Sequence, residues 1–134
     1  MKRERAHKGY DAFCKAGLPQ RFCLYAHRRL KRHIYLPYGT GRGLGLENDM
    51  PAAGKTGTTN SSKDTWFCGY TPYYTAAVWV GYDIPRNMPG IYGATYAGKI
   101  WKNVMDEIHQ GLPPLDWEQP RYRRAAVQMK PMGS

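Results

Sequence analysis

The chain has 134 residues, 42% of them hydrophobic and 22% charged, which allows one globular domain with a modest core. No stretch approaches the roughly 18–20 apolar residues of a membrane-spanning helix, and no charged start followed by an apolar run marks a signal peptide. The net charge of +10 invites a nucleic-acid reading, but residues 1–37 hold ten Lys/Arg against two acidic residues and the remainder holds ten against eight, so the basic balance belongs to one end.

Before Thr40 there is no Ser, Thr, Val, Asn or Trp. That is unusual for a folded segment, because Ser, Thr and Asn supply caps and turns. Residues 1–37 suit a basic arm for nucleic acid, a basic helix on a membrane, or a stretch read out of frame. The reading taken is a non-native or disordered segment. A helix over "YAHRRLKRHIYL" would put Leu24, Tyr25, Leu30 and Ile34 loosely on one side. Cys14 and Cys23 match no zinc spacing, the four histidines are scattered, and Cys68 reads as a strand core residue, so neither a metal nor a cofactor is expected.

"YGTGRGLGLEND" follows, with glycines at 39, 41, 43 and 45, a loop that other backbone approaches closely. Strands are predicted over 52–59, 65–71 and 74–82; the short turns between them favour antiparallel pairing. The third, "TAAVWVGY", is apolar on both faces and reads as covered on both sides. Ala97, Ile100, Trp101, Val104, Met105 and Ile108 then recur at helical spacing, which predicts a helix over 94–110 that packs on the sheet through Ile100, Trp101, Val104 and Met105. Gly111 and Pro113-Pro114 end it. The fold class is α+β: a three-stranded antiparallel sheet with a C-terminal helix on one face, preceded by an irregular or helical segment. By division, 1–37 is the basic segment, 38–112 the folded body, and 113–134 a Pro-containing linker and tail.

"AAGKTGTTN" raises the question of chemistry. A phosphate-binding loop needs Gly-x-x-x-x-Gly-Lys-[Ser/Thr] between a strand and a helix. Asp49 stands where the first glycine belongs, and a turn and an aromatic strand follow, so that reading fails. Lys-Thr-Gly on a strand edge fits better. Lys55 offers a point charge, Thr56 and Thr58 offer hydroxyls, and Gly57 lets a peptide backbone lie close.

With "GTGRGLGL" before it, "WFCGYTPYYTAAVWVGYD" after it and then "IWKNVMDEIHQGLPPLDWEQP", the body resembles the C-terminal part of the transpeptidase domain of class A, bifunctional penicillin-binding proteins over about Tyr38 to Pro120. The resemblance implies a β-lactamase/transpeptidase-like fold. It implies the cross-linking of peptidoglycan through a serine acyl-enzyme, stem peptides ending in D-Ala-D-Ala as partners, and β-lactams as reagents for the same serine. It gives Lys55 a catalytic role, assisting the serine of a Ser-x-Asn motif and attracting the substrate carboxylate. Thr56 and Thr58 would bind that carboxylate, Gly57 would permit close approach, and the Thr58 N–H would complete the oxyanion hole.

The serines are Ser61, Ser62 and Ser134, and none begins Ser-x-x-Lys or Ser-x-Asn. The expectation is therefore a fragment that keeps the substrate-binding strand, lacks the nucleophile, is inactive alone and, without the family's glycosyltransferase domain and anchor, stays cytoplasmic although the family works at the outer face of the membrane. An unpartnered sheet face predicts self-association. Two other readings stand: a non-catalytic binder of peptidoglycan peptides, and a small basic nucleic-acid-binding protein that stacks bases on Trp66, Phe67 and Tyr70. The separation of those aromatics from the basic end argues against nucleic acid.

Overall fold

A computed structural model describes residues 20–117; residues 1–19 and 118–134, with His7, Cys14 and Ser134 among them, lie outside the described residues, whereas 20–35 of the basic segment expected to be non-native or disordered forms a helix. The elements run α1 (Gln20–Tyr35), β1 (Ala53–Thr58), β2 (Asp64–Tyr70), β3 (Thr75–Gly81) and α2 (Tyr96–Ile108). The sheet has the order β1-β2-β3, antiparallel throughout. The α+β expectation holds, with a second helix before the sheet.

α1 contains neither Gly nor Pro, and Arg32 and His33 in its last turn suit the negative end of the helix dipole. Pro37 and Gly39 stop it; a Cβ on Gly39 would lie 2.2 Å from the His33 carbonyl oxygen, so the chain turns back tightly there. Its buried residues are Cys23, His27 and Ile34, spaced as one helical face. Tyr25, placed on the apolar side from the sequence, faces solvent. The reason is that α1 packs against β1 through the Cys23–His27–Ile34 row, and Tyr25 lies roughly opposite on the helical wheel. There its hydroxyl accepts hydrogen bonds from Arg29.

Because residues opposed in an antiparallel pair share a face, Thr56, Thr58, Thr65, Phe67, Gly69, Val78 and Val80 line one side of the sheet. α2 covers that side. The Trp101 ring packs on Phe67 with centroids 5.0 Å apart. Ile34, Leu44, Leu46, Met50, Ala52, Ala97 and Met105 complete the core around them. Gly69 makes room for the indole, since a Cβ there would lie 2.6 Å from Trp101 Cζ2.

α2 differs from its predicted packing in one respect. Trp101 and Met105 are fully buried, with Ala97 and Gly98, but Ile100 and Val104 are 45% and 49% exposed. The apolar stripe is wider than the sheet beneath it. The row Ala97–Trp101–Met105 occupies the contact, and the row Ile100–Val104–Ile108 is displaced about 100° round the helix. Cys68 is also corrected: strand alternation sends Phe67 into the core and Cys68 to the exposed opposite face.

On that opposite face Trp66 and Trp79 sit side by side, ring centroids 6.4 Å apart, and remain 45% and 42% exposed. Among the described residues only one end of this face is closed. There His27 of α1 bonds the Tyr70 hydroxyl at 2.9 Å, and the Trp117 ring lies 4.3 Å from His27 and 5.6 Å from Tyr70. Lys31 holds Asp116 at 3.2 Å alongside. β3, expected to be covered on both faces, is half-covered.

The outer edge of β1 as a candidate functional site

Three contacts fix which way the backbone of β1 faces. Thr59 N–H bonds Asp64 O at 3.1 Å, toward β2. Ala52 N–H points the other way, to the Tyr35 hydroxyl at 3.0 Å, and the Thr56 carbonyl accepts the Lys55 ammonium at 2.8 Å. Polar groups alternate along a strand, so the N–H and C=O of Gly54, Thr56 and Thr58 turn away from β2. Among the described residues no strand pairs with that edge.

Side chains divide between the two faces. Lys55 and Gly57 lie on the face of Cys68 and Trp66, and Lys55 is exposed, its ammonium folded back over the edge. Thr56 and Thr58 project to the other face. Thr56 donates its hydroxyl to Thr40 Oγ1 at 2.9 Å, and Thr40 Oγ1 stands 3.4 Å from His33 Nδ1. The Thr58 hydroxyl accepts the Gly93 N–H at 3.1 Å, which leaves its own proton available. Gly93 is required where it is, because a Cβ would lie 2.5 Å from Trp66 O. At Gly57 the nearest atom to an added Cβ would be Trp66 Cβ at 3.4 Å, so the strand is open there.

His33 escaped sequence reading, since a lone histidine on a basic helix carries no motif. It ends α1 beside this edge. Partial burial, then the charges of Lys55 and Arg29, hold its imidazole below the usual histidine range. His109 was also missed, and its role is structural. It is fully buried at the end of α2, with Nδ1 2.6 Å from Met105 O and Nε2 2.8 Å from the Thr71 hydroxyl. The Thr71 oxygen in turn accepts the N–H groups of Tyr73 and Tyr74 at the β2–β3 turn.

The serines near the site lie in the β1–β2 turn. Ser62 adopts φ 47°, and its backbone bonds Thr59 O and the Met88 N–H. A base-stacking platform is not formed: Phe67 is buried, and Tyr70 packs against His27 and Trp117, which leaves Trp66 alone accessible. A cleft of about 520 Å³ at the end of α2 is lined by Glu47, Asn48, Asp106 and Glu107 and by none of the β1 residues; its carboxylates disfavour an anionic ligand.

No family model matches the chain. It is 44% identical over 82 residues to penicillin-binding protein 1A of Clostridium botulinum (strain Langeland), which covers 61% of this chain and 10% of that protein. The Clostridium tetani protein of the same name is 48% identical over 90 residues, 64% of this chain and 11% of that one. The matched stretch is related to penicillin-binding protein 1A. A protein of that name from Neisseria lactamica is 40% identical over 83 residues, 61% of this chain and 10% of its own. The crystal structure of penicillin-binding protein 1A from Haemophilus influenzae superposes with a TM-score of 0.58 at 26% identity, over 74% of this chain and 16% of that chain. The sheet and its helices therefore share the transpeptidase-like fold of penicillin-binding protein 1A. The chain spans about a tenth of the length of the curated relatives it matches.

Proposed function

We propose that β1 is the Lys-Thr-Gly substrate-binding strand of a peptidoglycan D,D-transpeptidase, a serine-type acyl-transfer enzyme of the bacterial cell wall. In this reading the outer edge receives an extended stem peptide ending in D-Ala-D-Ala by strand addition. The Thr58 N–H serves the oxyanion hole, and the Thr56 and Thr58 hydroxyls, with Lys55, meet the terminal carboxylate. Gly57 leaves the peptide room, and β-lactams would occupy the same edge. The observation that carries the proposal is the edge itself: N–H groups at alternate residues turned away from β2, bordered by an exposed ammonium and two hydroxyls. The similarity to penicillin-binding protein 1A supports it.

Neither Ser61 nor Ser62 is followed three residues later by a lysine, so neither has a base one helical turn away. The chain by itself binds without acyl transfer. In the test, the chain is mixed with N-acetyl-D-Ala-D-Ala and followed by NMR at the Thr56 and Thr58 amides. Binding that weakens about tenfold or more in Lys55→Ala agrees with loss of a charge-assisted contact. A fluorescent penicillin should leave no covalent label. Binding indifferent to both Lys55→Ala and Thr58→Val overturns the assignment of β1, and labelling of Ser61 or Ser62 overturns the assignment of no nucleophile to this chain.

A further inference from the structure

A hydrogen-bonded chain runs from β1 to α1. Lys55 Nζ lies 2.8 Å from Thr56 O and 3.5 Å from Thr56 Oγ1. Thr56 donates its hydroxyl to Thr40 Oγ1 at 2.9 Å, and Thr40 Oγ1 is 3.4 Å from His33 Nδ1. Each hydroxyl has one proton to give. With a neutral ring accepting at Nδ1, both protons are consumed within the chain, Thr56 on Thr40 and Thr40 on His33. A protonated ring reverses the last link, because Nδ1–H must donate to Thr40 Oγ1. One hydroxyl proton then has no acceptor in the chain and turns outward, next to the Lys55 ammonium.

We propose that His33 is a specificity-determining residue of the β1 edge, its imidazolium form directing the displaced hydroxyl proton to the terminal carboxylate of a bound peptide. This rests on β1 being the peptide-binding strand. The groups that face His33 are Thr40 from the loop after α1, Lys55 from β1 and Arg29 from its own helix. Both charged groups are cations, so the ring sits in a positive field that a carboxylate relieves. Peptide binding and ring protonation therefore favour each other.

The experiment uses the full chain and two probes, N-acetyl-D-Ala-D-Ala and its C-terminal amide, titrated by NMR at pH 5.0 and 7.5, where the free carboxylate stays ionised. The carboxylate peptide should bind about tenfold more tightly at the lower pH, the amide equally at both. His33→Gln and Thr40→Val should each flatten the difference. In the unaltered chain, the His33 ring resonances should titrate at higher pH with the carboxylate peptide present and not with the amide. Binding of equal strength at both pH values, or a pH difference that survives in His33→Gln, overturns the role of His33 while leaving β1 as the peptide strand. Absence of peptide binding at both pH values overturns both.

Discussion

Gly57 and Gly69 are close in the sheet and opposite in consequence. A methyl group added at Gly69 would meet two atoms of the fully buried Trp101 ring, at 2.6 and 2.7 Å, and that ring is held by Phe67. Gly69→Ala should therefore destabilise by about 1–3 kcal/mol through overpacking, measurable as a lower midpoint in urea. Gly57→Ala meets nothing closer than 3.4 Å. Its stability should change by no more than about 0.5 kcal/mol, while the peptide binding proposed for the β1 edge should be lost to the added methyl. A large destabilisation at Gly57 would mean that its backbone, not its bare surface, is the reason for glycine. At this scale the sequence was legible where one residue has one role. The Lys-Thr-Gly segment could be placed on a strand edge because its spacing excludes a phosphate-binding loop and its small and β-branched residues suit a strand. Cys68 could not, because an apolar run leaves strand parity undetermined, and only Phe67 seated against Trp101 settles which residues turn inward.

For the helices, spacing located α2 to within two residues at each end and identified Trp101 and Met105, but overstated the buried width. The row Ile100–Val104–Ile108 touches little, so Val104→Lys should leave the melting temperature nearly unchanged; a loss above about 2 kcal/mol would show that this row packs after all. α1 was harder to read, since its buried face includes a histidine and a cysteine rather than an aliphatic stripe. His27 also gives its docking a pH dependence. Burial first, and then the Lys31 charge, lowers the His27 pKa, with Asp116 opposing. The folded state thus favours the neutral ring. Its contribution is fully present above the unfolded value near 6.5 and is lost as pH falls through the lowered folded value. Thermal melts from pH 7.5 to 5.0 should drop, and the drop should be smaller in His27→Gln. An equal drop in both would assign the pH dependence to other groups.

At the scale of the whole, the described residues leave apolar surface on both layers: among them Trp66 and Trp79 stand uncovered on one side, and the Ile100 row on the other. The edge of β1, which no strand among the described residues pairs, adds a template for strand addition. The charge of +10 opposes association, but salt screens it over about 8 Å at physiological strength. Sedimentation at that ionic strength should show oligomers, and Trp66→Lys with Trp79→Lys should shift them toward monomer. A monodisperse unaltered chain would show that these faces are tolerated in water.

The connection between the sheet and α2 bears on how the parts depend on one another. Residues 82–87 are exposed, Arg86 among them, whereas α2 is fixed to the strands by Trp101 on Phe67, by His109 on Thr71 and by Gly93 on Thr58. Covalent continuity through that loop is thus nearly dispensable. A single tryptic nick after Arg86 should leave two pieces that comigrate until denatured. The same position would serve as a split point, at which separately made halves reassemble by complementation.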